Sequence, residues 1–234
     1  MIDFHSHILP NIDDGSRNYE ETINILKEAK EAGFEKVIST SHYMEDCYEV
    51  SEQAREELIN KIKLETNNLQ LYTGSEIYIT EDIVELIKNK KASTINNSKY
   101  LLFELPMNSK PLYVEDIVYR LIQNGYQPII AHPERYSYVQ DDFDYALDLL
   151  DMGVLFQSNY GSLIGLYGDK AKKTLKKMLK QDLVHFLGSD VHRAGQIYPE
   201  IPKILKKLGK IISKEKIEEL TNSNAQKVLD NQDF

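Results

Sequence analysis

Ile2-Asp3-Phe4-His5-Ser6-His7 reads as a short extended run that stops on two histidines two residues apart. In extended backbone, residues i and i+2 point to one face, so both rings can meet a single cation. Alone, an H-x-H is more often a polar strand end. Here the plan recurs. Ser39-Thr40-Ser41 leads into His42, and Leu71-Tyr72-Thr73-Gly74-Ser75 leads into Glu76. Tyr100-Leu101-Leu102-Phe103 leads into Glu104, a carboxylate that is expensive to bury there without a partner. His132 follows Gln127-Pro128-Ile129-Ile130-Ala131, and because Pro133 biases the residue before it toward extended backbone, His132 is expected to remain strand-like. Asp190 and His192 repeat the i, i+2 spacing after the last apolar run. Imidazole and carboxylate are the donors that borderline divalent metals select, and a carboxylate placed like Glu76 can bridge two of them. The expectation is a polynuclear metal centre at the C-terminal mouth of a barrel, and with it a metal-dependent hydrolase.

Working outward, extended runs at 2–4, 36–40, 70–74, 100–104, 127–131, 154–157 and 184–187 alternate with amphipathic segments. In the first of these, Thr22, Ile25, Leu26, Ala29 and Ala32 share one helical face. Asn18 with Glu21 supplies its N-terminal cap and Gly33 its stop. Further helices are expected at 52–66, 83–90, 114–124, 143–152, 170–180 and 201–208. Such alternation in 234 residues predicts an α/β fold. The sheet is parallel and closed or nearly closed into a barrel, whose catalytic groups come from the C-terminal ends of its strands. One domain, 1–234, is expected, with extra helices over 200–230 packed outside the barrel.

The 28 Lys and Arg against 37 Asp and Glu give a net charge of -9, so nucleic acid is not an expected partner. Cys47 is the one cysteine, which excludes an internal disulfide and suits a reducing compartment. It also lacks the glycine-rich phosphate loop and trailing arginine of a cysteine-based phosphatase. The opening residues carry no basic n-region and no apolar core, and no apolar run approaches the roughly 18 residues of a membrane span. A cytoplasmic protein without membrane insertion is expected.

These residues resemble the PHP superfamily (polymerase and histidinol phosphatase). Its pattern is an N-terminal H-x-H, a mid-chain histidine, a bridging glutamate, a further histidine and a C-terminal D-x-H. The flanks are narrower. Ile2-Asp3-Phe4-His5-Ser6-His7-Ile8-Leu9-Pro10 is followed by Asp13-Asp14-Gly15-Ser16. With Gly74-Ser75-Glu76-Ile77, Phe103-Glu104-Leu105-Pro106 and Ala131-His132-Pro133-Glu134-Arg135-Tyr136, they resemble bacterial manganese-dependent protein-tyrosine phosphatases of capsule and exopolysaccharide biosynthesis loci. The resemblance spans residues 2–192.

It implies a distorted (β/α)7-type PHP barrel with three metal ions, manganese by expectation, although zinc, iron or cobalt also suit such donors. Carried over by position, one ion would take His5, His7, Glu76 and Asp190, a second Glu76, Glu104 and His132, and a third Asp14, His42 and His192. Asp14 is preferred to Asp13 on the family pattern, since Asp-Gly by itself reads as a turn. Arg135 matches a basic residue that the family uses on phosphate, and Arg193 is the candidate for a second. The implied substrate is a phosphotyrosine protein, the tyrosine-rich tail of a bacterial tyrosine autokinase.

Two other readings stay open: a small-molecule phosphatase such as a histidinol phosphatase on the same metal scaffold, and a non-catalytic partner that binds a phosphotyrosine tail. Residue by residue, blander readings also stand. Arg135 would form a surface ion pair with Glu134. Tyr43, Tyr48, Tyr78, Tyr136 and Tyr160 would pack the barrel and its rim. Lys170-Ala171-Lys172-Lys173-Thr174-Leu175-Lys176-Lys177 would be a solvated helix face, or else a dock for an acidic, phosphorylated tail.

Overall fold

The computed structural model describes residues 1–66 and 68–234. In chain order the first elements are β1 (Ile2–Ser6), α1 (Tyr19–Glu31), β2 (Lys36–Tyr43), α2 (Glu52–Lys63), β3 (Gln70–Tyr78), α3 (Ile83–Lys88), β4 (Tyr100–Glu104) and α4 (Val114–Gln123). Then come β5 (Gln127–Ala131), α5 (Ser137–Asp141), α6 (Asp144–Asp151), β6 (Leu155–Asn159), α7 (Gly168–Lys180), β7 (Phe186–Gly188), α8 (Ile201–Leu208), α9 (Lys214–Glu218) and α10 (Asn224–Leu229). Short 3₁₀ turns at Pro133–Arg135 and Tyr160–Ile164 follow β5 and β6.

The strands pair in parallel in the order β1 to β7. The last then meets the first. Ser6 bridges Val191, His7 N–H donates to Val191 O (3.0 Å) and Asp190 N–H to His5 O (2.8 Å). The result is the expected nearly closed parallel barrel. Helix α1 starts where its cap predicts: Asn18 Oδ1 accepts from Glu21 N–H at 2.9 Å. It stops at Gly33, whose φ of +92° a side chain would oppose.

The strand faces explain how the site is placed. Ile38, Tyr100, Leu102, Ile129 and Phe186 belong to an inner core, whereas Val37, Leu101, Phe103 and Ile130 pack outward against the helices. With a period of two, the inner face of β2 reads Ile38, Thr40, His42, that of β3 reads Tyr72, Gly74, Glu76, and that of β4 reads Tyr100, Leu102, Glu104. Each is apolar or aromatic low in the barrel and carries a candidate ligand at the top.

Strand β1 needs a correction to its parity. Asp3 pairs with Val37 and Ser6 with Ser39, three residues against two. This bulge turns Ser6 outward and keeps Ile2 and Phe4, then His5 and His7, on the inner side. At the opposite end, Ala225, Val228 and Leu229 of α10 complete the inner core and close the floor. Lys99 N–H donates to Asn231 Oδ1 (2.9 Å) and Asn96 Nδ2 to Leu229 O (3.1 Å), stitching that floor to β4 and the turn before it.

Strands β2 and β3 run past their expected ends, through His42 and Glu76, which pair in register. Apolar character stops before the ladder does, because the inner face changes from packing to chemistry. Among the described residues, no helix is long and apolar enough to cross a membrane.

Candidate metal centre

Glu76 stands at the middle of the mouth, buried. Its Oε1 lies 2.9 Å from His132 Nε2 and 3.4 Å from His5 Nε2, and its Oε2 lies 3.3 Å from His7 Nε2 and 3.2 Å from His42 Nδ1. Asp190 Oδ1 is 3.4 Å from both His5 and His7 Nε2. Glu104 Oε1 reaches His42 Nδ1 at 3.2 Å, and Asp14 Oδ1 reaches His192 Nε2 at 3.3 Å and His42 Nε2 at 3.6 Å. Two donors each about 2.1 Å from one cation stand about 3.0–3.4 Å apart, the edge of an octahedron or tetrahedron. Most of these separations fall in that interval.

The structure therefore brings all nine sequence-derived candidates to one cluster. Their donor atoms form overlapping groups, each within 4.8 Å: His5, His7 and Asp190; His5, Glu76 and His132; His42, Glu76 and Glu104; and His7, Asp14, His42 and His192. Glu104 stands with His42 here, and His132 with His5.

Two backbone expectations fail. His132 is left-handed, at φ 35° and ψ 53°, despite the following proline. Ala131 already points inward, so a continued strand would turn the next side chain out, and the left-handed residue turns it back to Glu76. Asp190 is also left-handed, at φ 53°. It reaches His5 and His7 while His192 reaches Asp14, so the i, i+2 rule that serves His5 and His7 does not describe this pair. Non-glycine residues in that region cost about 1–3 kcal/mol each. Gly188 presses the barrel wall on the site: a Cβ there would lie 2.6 Å from that of His5.

Supporting groups orient the rings, and several were missed by the sequence reading. Asp13 Oδ2 lies 2.9 Å from His7 Nδ1 and accepts from His42 N–H at 2.9 Å. Thr40 Oγ1 lies 2.6 Å from His5 Nδ1, and His192 Nδ1 lies 2.9 Å from the carbonyl of Asp190. Fixing one ring nitrogen aims the other inward and sets its tautomer. Asp13 and Thr40 each sit beside a candidate ligand, a weak signal without the fold.

Burial disfavours charge throughout this cluster. On His5 it wins, and the ring's proton affinity falls. On His7, burial is outweighed by Asp13, which lifts the ring well above its usual value. Burial raises and His7 lowers Asp13, which ends near pH 2. Glu76 and Asp190, despite burial, are held well below the usual carboxylate range by the surrounding histidines. Glu76 and Asp190 are thus ionised carboxylates crowded by imidazoles. His5 Nε2, His7 Nε2, His42 Nδ1 and Glu76 Oε2 are buried without a hydrogen-bond partner. Orphaned polar atoms of this kind are costly, and divalent cations would satisfy all four.

A cavity of about 340 Å³ opens over the cluster, walled also by Met107, Arg135, Tyr167 and Gln196. Arg135 Nη1 donates to Asp190 Oδ2 at 2.8 Å, and its guanidinium lies 4.2 Å from the centre of the Tyr167 ring. The expected Arg135–Glu134 pair does not form. Glu134 is buried, and its Oε1 accepts from Asn159 N–H (2.8 Å) and Ser162 Oγ (2.7 Å), fixing the turn that leads to Tyr167. Tyr167 has no sequence motif to reveal it. Arg193 donates to the carbonyls of Asp14 (2.8 Å), Gly15 and His192 (2.7 Å), and does not wall the cavity.

Tyr136 and Tyr160 are buried, as packing predicts, whereas Tyr48 lies parallel to His42 at 5.8 Å. Cys47 is free and exposed. The sixth histidine, His185, lies apart: its Nδ1 accepts from Phe156 N–H at 3.1 Å, and burial, helped by Lys216, pushes it down to about pH 4.

Fold and site together define an α/β barrel with a candidate polynuclear metal centre at its mouth. The chain belongs to the capsular polysaccharide synthesis CpsB/CapC family, which it matches over residues 1–230. It is 35% identical to the putative tyrosine-protein phosphatase CapC of Staphylococcus aureus, over 100% of this chain and 96% of that one. With the tyrosine-protein phosphatase CpsB of Streptococcus agalactiae it shares 30% identity over 99% of both. A crystal structure from work on YwqE of Bacillus subtilis and CpsB of Streptococcus pneumoniae, described as metal-dependent tyrosine phosphatases, superposes with a TM-score of 0.90. It is 29% identical and covers 100% of this chain and 96% of its own.

Proposed function

We propose that this chain is a metal-dependent protein-tyrosine phosphatase that acts in capsular or exopolysaccharide synthesis. The observation that carries the reading is Glu76, whose two oxygens meet four imidazoles at 2.9–3.4 Å while the facing nitrogens of His5, His7 and His42, and Glu76 Oε2 itself, lack hydrogen bonds. His5, His7, Asp14, His42, Glu76, Glu104, His132, Asp190 and His192 are assigned as metal ligands. Manganese is our choice of ion; zinc, iron and cobalt accept the same donors. When bound, divalent cations supply Lewis-acid charge and an acidified water to phosphoester hydrolysis.

The protein's own part is to hold and orient. Arg135, free on its outer edge, donates to the equatorial phosphoryl oxygens and offsets their charge as the ester bond breaks. Arg193 acts through the backbone of Asp14, keeping that carboxylate aimed at His42 and His192. The substrate we propose is the tyrosine-rich tail of a bacterial tyrosine autokinase. A tail phosphorylated at the expense of ATP lies in the cytoplasm, and that is where the reading places this protein.

The test is phosphate release by manganese-loaded protein, with a phosphotyrosine peptide and histidinol phosphate assayed side by side. Preference for the peptide, abolished by chelator, supports the reading. Preference for histidinol phosphate replaces it with a small-molecule phosphatase, and full metal occupancy without turnover replaces it with a binding protein.

A further inference from the structure

Helices α7 and α8 carry lysine out of proportion to the rest of the chain. Gly168–Lys180 contains six lysines and Ile201–Leu208 three, against the single acid Asp169, in a protein whose net charge is -9. The buried faces are Ala171, Thr174, Leu175, Met178 and Leu179 on α7, and Ile201, Ile204 and Leu208 on α8. Lysines at i and i+4 on each helix, Lys172 with Lys176 and Lys203 with Lys207, rise on the remaining surface as neighbouring ridges.

Lys207 lies among the other three amines. Lys207 is held below its usual range by desolvation and then by Lys172, Lys203 and Lys176, opposed by Glu200. Lys203 is paired with Glu200 at 2.7 Å. Lys172, Lys176 and Lys207 have no ion-pair partner among the described residues, although 37 acidic residues were available to supply one. Like charges left adjacent and unneutralised cost stability unless something anionic covers them.

Position says what that something is. Helix α7 begins one residue after Tyr167, which walls the catalytic cavity, and α8 begins five residues after Gln196, which also walls it. Helices in such a barrel run back from the mouth, so the paired ridges form a track leaving the cavity. Each i, i+4 step advances it by about 6 Å.

We propose that this two-helix track binds an acidic or additionally phosphorylated segment of the substrate chain whose phosphotyrosine occupies the mouth. This rests on the phosphatase reading above. An extended anionic peptide matches lysine ridges on two helices that begin one and five residues after residues walling the cavity. A lipid surface would be met as well by a patch anywhere on the molecule.

The test uses the manganese-loaded full chain and three substrates: p-nitrophenyl phosphate, a phosphotyrosine peptide with neutral flanks, and the same peptide with acidic, phosphoserine-bearing flanks. The variant is K172E/K176E/K207E, with K172Q/K176Q/K207Q beside it in case charge reversal impairs folding. For the wild type, kcat/KM on the acidic peptide should exceed that on the neutral one about tenfold, through KM, and fall steeply with added salt. Both variants should lose that advantage and keep their rate on p-nitrophenyl phosphate. Equal kcat/KM for the two peptides in the wild type overturns the proposal while leaving the phosphatase reading intact. Absence of turnover on every phosphotyrosine substrate overturns both. If the variants lose only co-sedimentation with phosphatidylserine vesicles, the track belongs to a membrane and the proposal falls.

Discussion

Tyr100 and Glu104 stand four residues apart on the inner face of β4, and they belong to two different kinds of matter. Around Tyr100 the barrel is filled by Ile2, Phe4, Leu102, Ile129 and Phe186 and sealed by α10. Phe4 and Phe186 stack at 4.1 Å, nearly parallel. Around Glu104 the same strands hold a crowd of ionisable groups, unpartnered atoms and two left-handed backbone residues. The floor is packed to be stable, and the mouth is arranged to be useful at some cost in stability. A barrel can hold both because the ladder that fixes the strands is indifferent to which side chains they carry.

Breaking that division should give effects of distinct kinds. The largest is expected at the mouth. Glu76→Gln removes a charge shared by four imidazoles and should lower kcat/KM on a phosphotyrosine peptide on the order of 10³-fold, with bound metal measured in parallel. A fully metallated, fully active variant would contradict the central place given to Glu76. At the floor, Phe186→Ala should destabilise the fold by about 3–5 kcal/mol. Urea unfolding would register the loss, while the rate per folded molecule stays near that of the parent. If the two readouts move together, floor and mouth are coupled and the division drawn here is too sharp.

Smaller changes sharpen the boundary. Asp13→Asn keeps the shape but weakens the hold on His7, and should reduce metal affinity about 10–100-fold. Titration with manganese would show it, and an unchanged affinity would make Asp13 a turn residue only. The smallest effect is at His185. Its ring is neutral in the fold down to about pH 4, whereas in the unfolded chain it takes a proton near the ordinary 6.5. Stability from this group is complete above 6.5 and is lost as the pH falls toward 4. The loss should be about 1–2 kcal/mol at pH 5. Urea midpoints at pH 7.5 and 5 should converge in His185→Asn. An identical slope in the variant would assign the acid sensitivity to other groups.

Particular residues show what the sequence could reveal. Runs of apolar residues ending in His, Glu or Asp exposed the barrel and eight of its nine mouth candidates, because a period of two fixes which face a residue occupies; Asp14 came from the family resemblance. His132 and Asp190 do reach the mouth, but not in the extended conformation that the following proline and the i, i+2 spacing suggested, since each turns left-handed to aim its side chain. The apolar runs ended β2 and β3 too early, because hydrophobicity marks the packed half of a strand and the ladder continues into the polar half. Asp13, Thr40, Glu134 and Tyr167 stayed out of sight. Their roles depend on what lies across the barrel, and no local spacing encodes that.

The barrel's closure has a consequence for how the protein comes into being. Asp190 and His192 leave the ribosome nearly two hundred residues after His5 and His7, and the floor helix α10 later still. No complete donor set exists for most of the time that the chain is being made. The joining of β1 to the segment after β7 is the longest-range contact of the sheet, and contacts of that span form slowly. With the floor packed by α10, the cavity at the mouth is an opening that cations arriving after closure and the proposed substrate would share. On the proposed function, metal loading and catalysis would share that door, and a tightly held phosphoprotein would delay the protein's own maturation.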